Sequence, residues 1–351
     1  MSRRSLLSRR NLVVPSVLAI AMMAACARTS TPSAGGTTDP ATLTVYSGQH
    51  EQTVQKLVAD FEQRTGAKVA LRSGDEGDLA NQLLQEGKNS PADVYFAENP
   101  PALNAVSARK LLASVDAATL AAVPAADNSP NGDWVGVTAR TAALVYHTTS
   151  VTETDLPASV MDLAKPAWKG RVALSPGETD FHPVVTAVIK LHGVAAAKQW
   201  LEGLKANAKI YSDNEAVVAA VNRGEREVGL LDHYYWYRLR SENGGKTGAV
   251  DSALHYFAPG DAGALIDISG AGVLATARHP ALAQSFVAYL VSEPAQQIIA
   301  TSESWEYPLR PGINPAAGLR VLPSLTPAPL STAELGDGTQ ALDLLQQVGL
   351  L

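Results

Sequence analysis

Between residues 42 and 97 the chain switches repeatedly between two hydrophobic periods, and this restricts its fold more than any other feature. Thr42-Leu43-Thr44-Val45-Tyr46 alternates apolar and polar side chains, the period of a strand. Ser47-Gly48 predicts a turn. Val54, Leu57, Val58 and Phe61 then fall at i, i+3, i+4 and i+7, one face of a helix, which Gly66 ends in the C-terminal position glycine favours. Lys68–Leu71 predicts a second strand. Asp78 caps a helix carrying Leu79, Leu83 and Leu84 and ended by Gly87, and Asp93–Ala97 predicts a third strand. Strand, helix, strand, helix, strand is the order of an α/β layer with a largely parallel sheet.

The pattern restarts further on. Val135–Tyr146 is strand-like and carries Arg140. Arg171–Leu174, Ile210-Tyr211 and Glu227–Leu231 predict strands, interleaved with helices over Pro183–His192, Ala195–Leu204 and Glu215–Arg223. This is a second α/β unit. Ala264–Ser269 and Gly272–Ala275 predict strands, Pro280–Val291 a helix, and Ala341–Leu351 a closing helix. No repeat of solenoid length is present. A chain of 351 residues at about 100–200 residues per domain makes about two domains.

The first 25 residues do not belong to this alternation. They hold Arg3, Arg4, Arg9 and Arg10 and no acid, so the whole-chain net charge of −6 becomes −10 without them. That balance offers no basic face to nucleic acid. The apolar run Leu12–Ala25 is 14 residues long, short of the ~20 that span a bilayer as a helix. A basic start, a short apolar core and small residues at its end predict a secretory signal over 1–25. Met23-Ala24-Ala25-Cys26 resembles a bacterial lipobox, with Met23 where leucine is usual, and makes Cys26 the expected lipidation site. Ser8-Arg9-Arg10-Asn11-Leu12 resembles a twin-arginine export signal, a pair also common in ordinary export signals, so the export route stays open. Residues 26–40, rich in Thr, Ser, Gly and Pro, read as a flexible tether. Cys26 is also the chain's single cysteine, which leaves no internal disulfide and no cysteine-built zinc or iron–sulfur site.

Open α/β sheets bind ligands beyond the carboxyl ends of their strands. Three such ends carry unusual side chains: His50-Glu51 after the first strand, Glu98-Asn99 after the third, and Asp232-His233-Tyr234-Tyr235-Trp236-Tyr237 after Glu227–Leu231. Taken singly, His50 reads equally as a helix-start residue. Glu98 could simply favour a helix N-terminus, and the aromatic run could be core. Their equivalent positions join them. Successive side chains at a helix start diverge by ~100°, so Tyr234 and Tyr235 can aim at one point beyond the helix end while Trp236 and Tyr237 turn inward. Imidazole, carboxylate and two phenols are a donor set for a hard, highly charged metal. A phenol of pKa about 10 ligates at neutral pH when a strong Lewis acid displaces its proton, as ferric ion does.

The body resembles the periplasmic ferric-ion-binding proteins of bacterial ABC importers. The resemblance rests on Val45-Tyr46-Ser47-Gly48-Gln49-His50-Glu51, Ala92-Asp93-Val94-Tyr95-Phe96-Ala97-Glu98 and Trp168-Lys169-Gly170-Arg171-Val172. It continues in His233-Tyr234-Tyr235-Trp236-Tyr237-Arg238, Ser269-Gly270-Ala271-Gly272 and Glu306-Tyr307-Pro308-Leu309-Arg310-Pro311-Gly312. It implies an α/β, two-lobed periplasmic-binding-protein type II fold with two crossover strands, near residues 135–146 and 253–266. The lobes would comprise 41–138 with 260–305, and 139–259 with 306–351. It implies Fe3+ as cargo, held across the cleft by His50, Glu98, Tyr234 and Tyr235, with a small synergistic anion such as phosphate or carbonate. The family's phosphate-binding Ser-Gly-Ala turn stands here as Glu178-Thr179-Asp180, and one anion-binding asparagine as Asp232, whereas Asn214 is retained. Carboxylates repel phosphate, which argues against phosphate and leaves the anion's identity open. Arg140 would neutralise such an anion or form an interlobe ion pair. The implied partners are an ABC permease with its ATPase, the membrane being touched only through the lipid anchor of a monomeric, extracytoplasmic, non-enzymatic protein.

A rival reading keeps the fold and makes the tyrosines an aromatic box for an organic solute such as a polyamine or thiamine, or a site for a phosphonate. Gly270-Ala271-Gly272-Val273-Leu274-Ala275 fits a dinucleotide pattern, but strand residues follow it where a helix is required. No Walker A or G-x-S-x-G motif is present, and no nucleophile–base pair stands out.

Overall fold

The computed structural model describes residues 42–246 and 248–351. The expected signal over 1–25, Cys26 and the tether to residue 40 lie outside the described residues. Ten strands are formed among the described residues: β1 (Thr42–Ser47), β2 (Lys68–Ser73), β3 (Val94–Ala97), β4 (Val135–His147), β5 (Val172–Leu174), β6 (Ala208–Ile210), β7 (Val228–Asp232), β8 (Ser252–His255), β9 (Ile266–Val273) and β10 (Tyr307–Pro308). They follow the hydrogen-bonded order β2-β1-β3-β9-β4-β7-β5-β6, with β8 and β10 also on β4.

The local rules of the sequence hold for most elements. β1 runs parallel to β2 and β3, and β5 runs parallel to β6 and β7, each connection passing through helices. The helix Glu51–Thr65 buries Val54, Leu57 and Phe61 and ends on Gly66 in the left-handed conformation. The next helix, Glu76–Glu86, starts earlier than expected. Its cap is Asp75, whose carboxylate accepts the backbone N–H of Asp78, so Asp78 is inside the first turn. The stretch read as two strands, Ala264–Ser269 and Gly272–Ala275, contains the single strand β9, Ile266–Val273. The two glycines of the dinucleotide-like pattern lie within it for steric reasons. A Cβ on Gly270 would stand 2.7 Å from the Trp134 ring, and one on Gly272 2.9 Å from the Asp133 carbonyl. They let neighbouring chain pack against the strand and cradle no phosphate.

Strand β4 organises the molecule. Its first half, to Thr141, pairs antiparallel with β9, and Thr138 and Ala139 also pair with β10. From Ala142 onward it pairs with β7 and β8 instead. One core gathers Leu43, Val54, Phe61, Tyr95, Trp134 and Phe286, and another gathers Leu144, Val188, Trp200, Leu230 and Leu345. The chain passes between them along β4 and returns between β8 and β9. The C-terminal segment touches both: Tyr307, Leu309, Leu319 and Leu325 join the first core, and Ala328, Leu335 and Leu344 the second. Between the cores, the carboxyl ends of β1, β3, β5 and β7 face one another across β4. No described helix is long and apolar enough to cross a membrane.

Candidate metal centre

Five helix starts supply the centre. His50 immediately precedes the helix Glu51–Thr65, and Glu98-Asn99 precede Pro100–Ala108. Asp180 precedes Phe181–His192, Asn214 opens Asn214–Asn222, and Tyr234-Tyr235 lie in the first turn of His233–Glu242. Because β1 and β3 are parallel neighbours, their ends set His50 beside Glu98, with Nε2 3.2 Å from Oε1. The approach lies off the hydrogen-bond axis, so both atoms are buried without a hydrogen-bond partner.

From the other side, the phenols converge. Tyr234 donates to Asp180 Oδ2 at 2.9 Å and Tyr235 donates to the same oxygen at 3.0 Å. Their rings lie 4.2 Å apart, and the Tyr234 ring meets the His50 ring edge-on at 4.9 Å. Asn214 adds an N–H to Asp180 Oδ2 at 3.4 Å. Trp236 and Tyr237 point away, donating to the carbonyls of Ser252 and Gly318. His233 also stays out of the centre. It accepts from the Thr141 N–H and lies 2.9 Å from the Trp305 carbonyl, and burial pushes its pKa down to about 3.

The charge balance is unusual. Arg140 is fully buried, with Nε 3.2 Å from Asp232 and 3.7 Å from Asp180, and Nη1 3.4 Å from Glu306. Its Nη2 donates to the Glu98 carbonyl and to Asn99 Oδ1. One guanidinium therefore serves several carboxyls. Burial pushes Glu98 and Asp232 well above the usual carboxylate range against the pull of Arg140, and neighbouring acids push the same way. Burial, with the charge of Asp180 next, also raises both phenols. Burial, then Arg238 and Arg140, lowers His50 well below its ordinary value, so its imidazole is neutral as a metal ligand requires. A neutral imidazole and crowded acids around a shared space are what a cation relieves.

Four contributors carry no assigned role in the sequence reading. Arg238 donates to His50 Nδ1 at 2.9 Å and lies over the Tyr234 face at 4.7 Å. Its i+4 spacing from Tyr234 is the signal that could have found it. Glu76 accepts the backbone N–H groups of Glu98 and Asn99, each at 2.7 Å, and the Asn99 amide at 2.5 Å, so it fixes the turn that presents Glu98. Asn99 joins that clamp to Arg140. Glu306 sits beside His50 and Glu98, one donor atom from each lying within 4.8 Å of the others. Nothing local marks Glu76 or Glu306. An open cavity of about 620 Å³, lined by His50, Tyr235, Arg238, Glu215, Glu303 and Trp305 among others, leads to the centre.

Residues 43–302 match the family described as bacterial extracellular solute-binding protein. The chain belongs to that family. This solute-binding protein is 39% identical over 313 residues to the Fe(3+)-binding periplasmic protein of Serratia marcescens, covering 88% of this chain and 90% of the relative. Iron-bound HitA from Pseudomonas aeruginosa superposes with a TM-score of 0.84 at 43% identity, over 88% of this chain and 100% of that one. A Trichodesmium protein solved with iron and citrate ligands superposes at 0.76 and 28% identity, over 88% and 99%. The solute-binding protein thus has the α/β, two-lobed periplasmic-binding-protein type II fold, with β4 and the return into β9 as its crossovers.

Proposed function

We propose that this protein captures ferric ion in the interlobe cleft outside the cytoplasm and delivers it to the permease of an ABC importer. The convergence of two adjacent phenols on one carboxylate oxygen, with a neutral imidazole and a second carboxylate alongside, carries the reading. Phenols raised by burial keep their protons until a strong Lewis acid replaces them. His50, Glu98, Tyr234 and Tyr235 would be the ligands. Two phenolates and the Glu98 carboxylate match the charge of Fe3+. Asp180, freed of its two hydroxyl donors, would offer a further oxygen, and a small anion such as carbonate would enter by the cavity to fill what remains, near Arg140, Asn214 and Asp232. With the metal on His50 Nε2, the remaining ring proton belongs on Nδ1, so Arg238 leaves that nitrogen while staying over the tyrosine face.

The lobes would divide as the resemblance implies, 41–138 with 260–305 and 139–259 with 306–351, except that Tyr307 to Leu325 pack on the first core and only Ala328 onward joins the second. Only the closed arrangement brings both sets of ligands to one ion, so iron stabilises closure and the closed shape is what a permease reads. The role is carriage and not catalysis. Cys26 would tether the protein to the membrane by a lipid. An aromatic box for an organic amine fits less well, because the tyrosine rings lie on each other and Arg238 already covers Tyr234.

Titrating the purified protein with ferric ion from a weak chelator is expected to load one ion per chain and to produce a visible phenolate-to-iron band that a strong chelator bleaches. A colourless protein would contradict the reading. The pH dependence has a definite sign. The free phenols hold their protons and the bound ones do not, so binding releases protons and affinity falls as pH falls. Two phenols make this about 100-fold per pH unit around neutrality, checked by competition titration and by proton release into weakly buffered solution.

A further inference from the structure

Each of three side chains in the first half of the cleft has a potential ligand atom that is buried without a hydrogen-bond partner. His50 Nε2 is buried without a hydrogen-bond partner, and a metal there puts the ring proton on Nδ1, which Arg238 then leaves. Gln49 donates to Glu306 Oε1 at 3.2 Å and Arg140 Nη1 lies 3.4 Å from the same oxygen, while Glu306 Oε2 is buried without a partner. Glu76 clamps the backbone of Glu98, and Glu98 Oε1 is again buried without a partner. Glu306 is fully buried, a costly place for a carboxyl with an unused oxygen. It is brought there by β10, which pairs with β4 at Thr138 and Ala139, on the same side as β1 and β3. A carboxylate held through one oxygen, as Glu306 is, with the other left free, is the arrangement of a metal ligand.

We propose that His50, Glu98 and Glu306 form a seat for a divalent transition-metal cation that does not need the tyrosines. Their donor atoms lie within 4.8 Å of one another. Bonds of about 2.0–2.2 Å from nitrogen and oxygen put ligand atoms at most about 4.4 Å apart, so a shift of a few tenths of an ångström closes the seat. One imidazole with two carboxylates suits first-row divalent metals better than calcium or magnesium, and its two negative charges neutralise a divalent ion. All three donors come from the side of β1, β3 and β10, so the cation is held without ligands from the tyrosine side. The seat shares His50 and Glu98 with the ferric reading, but not the phenols on which that reading rests.

The test uses Co2+ as a visible probe on the full chain carrying both Tyr234→Phe and Tyr235→Phe. The expected result is one Co2+ per chain, with ligand-field bands showing nitrogen and oxygen coordination. Adding Glu306→Gln is expected to weaken binding by at least about 10-fold. If that variant melts early because Arg140 has lost a partner, Glu306→Asp keeps the charge and withdraws the oxygen, and it too is expected to weaken binding. The proposal is overturned if the doubly substituted chain takes up no Co2+, or if both Glu306 variants bind it unchanged. Failure of the ferric reading shows separately, as an unaltered protein that gives no iron colour.

Discussion

The chain carrying Tyr234→Phe and Tyr235→Phe binds ferric ion with its visible band abolished and its affinity reduced by several orders of magnitude. Each single change is expected to cost at least about 100-fold, since losing even an outer partner of a metal ligand costs 10–100-fold. Phe preserves ring volume and stacking, and the hydroxyls it removes both donate to Asp180 Oδ2, at 2.9 and 3.0 Å. The substitution therefore isolates the metal bond from the packing. The metal-free protein should also lose some stability, because Asp180 Oδ2 gives up two hydroxyl donors and keeps only Asn214 at 3.4 Å, so melting is measured alongside affinity. Chelator competition, read by absorbance and by bound iron, checks the result. Full ferric affinity in the double variant would exclude the phenols as ligands.

The second large effect is on stability. Arg140 is the buried cation among Asp180, Asp232 and Glu306, and its Nη2 also serves the Glu98 carbonyl and Asn99. Arg140→Met strands those acids without a counter-charge. Breaking a buried pair by removing one partner costs about 3–5 kcal/mol. At about 2–4 °C per kcal/mol, the metal-free protein should melt roughly 6–20 °C lower. Iron supplies replacement positive charge in the same cleft, so the iron-loaded variant should recover part of that loss. Thermal melts with and without iron measure both. A metal-free melting temperature within about 2 °C of the unaltered protein would refute the account of the charge balance.

What could be read in the chain, and what could not, follows from the range of the interactions. Period-two and 3.6-residue patterns are local, so β1, the helix Glu51–Thr65 and β3 were legible. From them followed the strand-end positions of His50 and Glu98. Tyr234 and Tyr235 stood out by their strand-end position, equivalent to those of His50 and Glu98, and the resemblance supplied their role, since an aromatic run alone could be core. The cap of the second helix was misplaced by three residues because Asp75 and Asp78 are equally good caps in composition, and only the hydrogen bond from Asp78 N–H to Asp75 decides between them. Residues 264–275 read as two strands because glycines interrupt the apolar pattern, yet the tight packing of Trp134 and Asp133 makes those glycines part of one strand. Of the surroundings of the donors, Arg140, Asn214, Asp180 and Asp232 were named through the resemblance, whereas Arg238, Glu76 and Glu306 carried no assigned role. Arg238 reaches His50 across 188 residues, Gln49 reaches Glu306 across 257, and Glu76 shows its purpose only once Glu98 and Asn99 lie against it. Such partners are set by tertiary packing, which no window of sequence contains.

The central claim is that one ferric ion joins side chains from both sides of the cleft. Anomalous diffraction at the iron edge from crystals of the iron-loaded protein tests it directly. The account predicts a single strong peak bonded to both tyrosine hydroxyl oxygens, to His50 Nε2 and to Glu98. A peak elsewhere, or one bonded to the tyrosines with His50 and Glu98 turned away in a closed molecule, would contradict it.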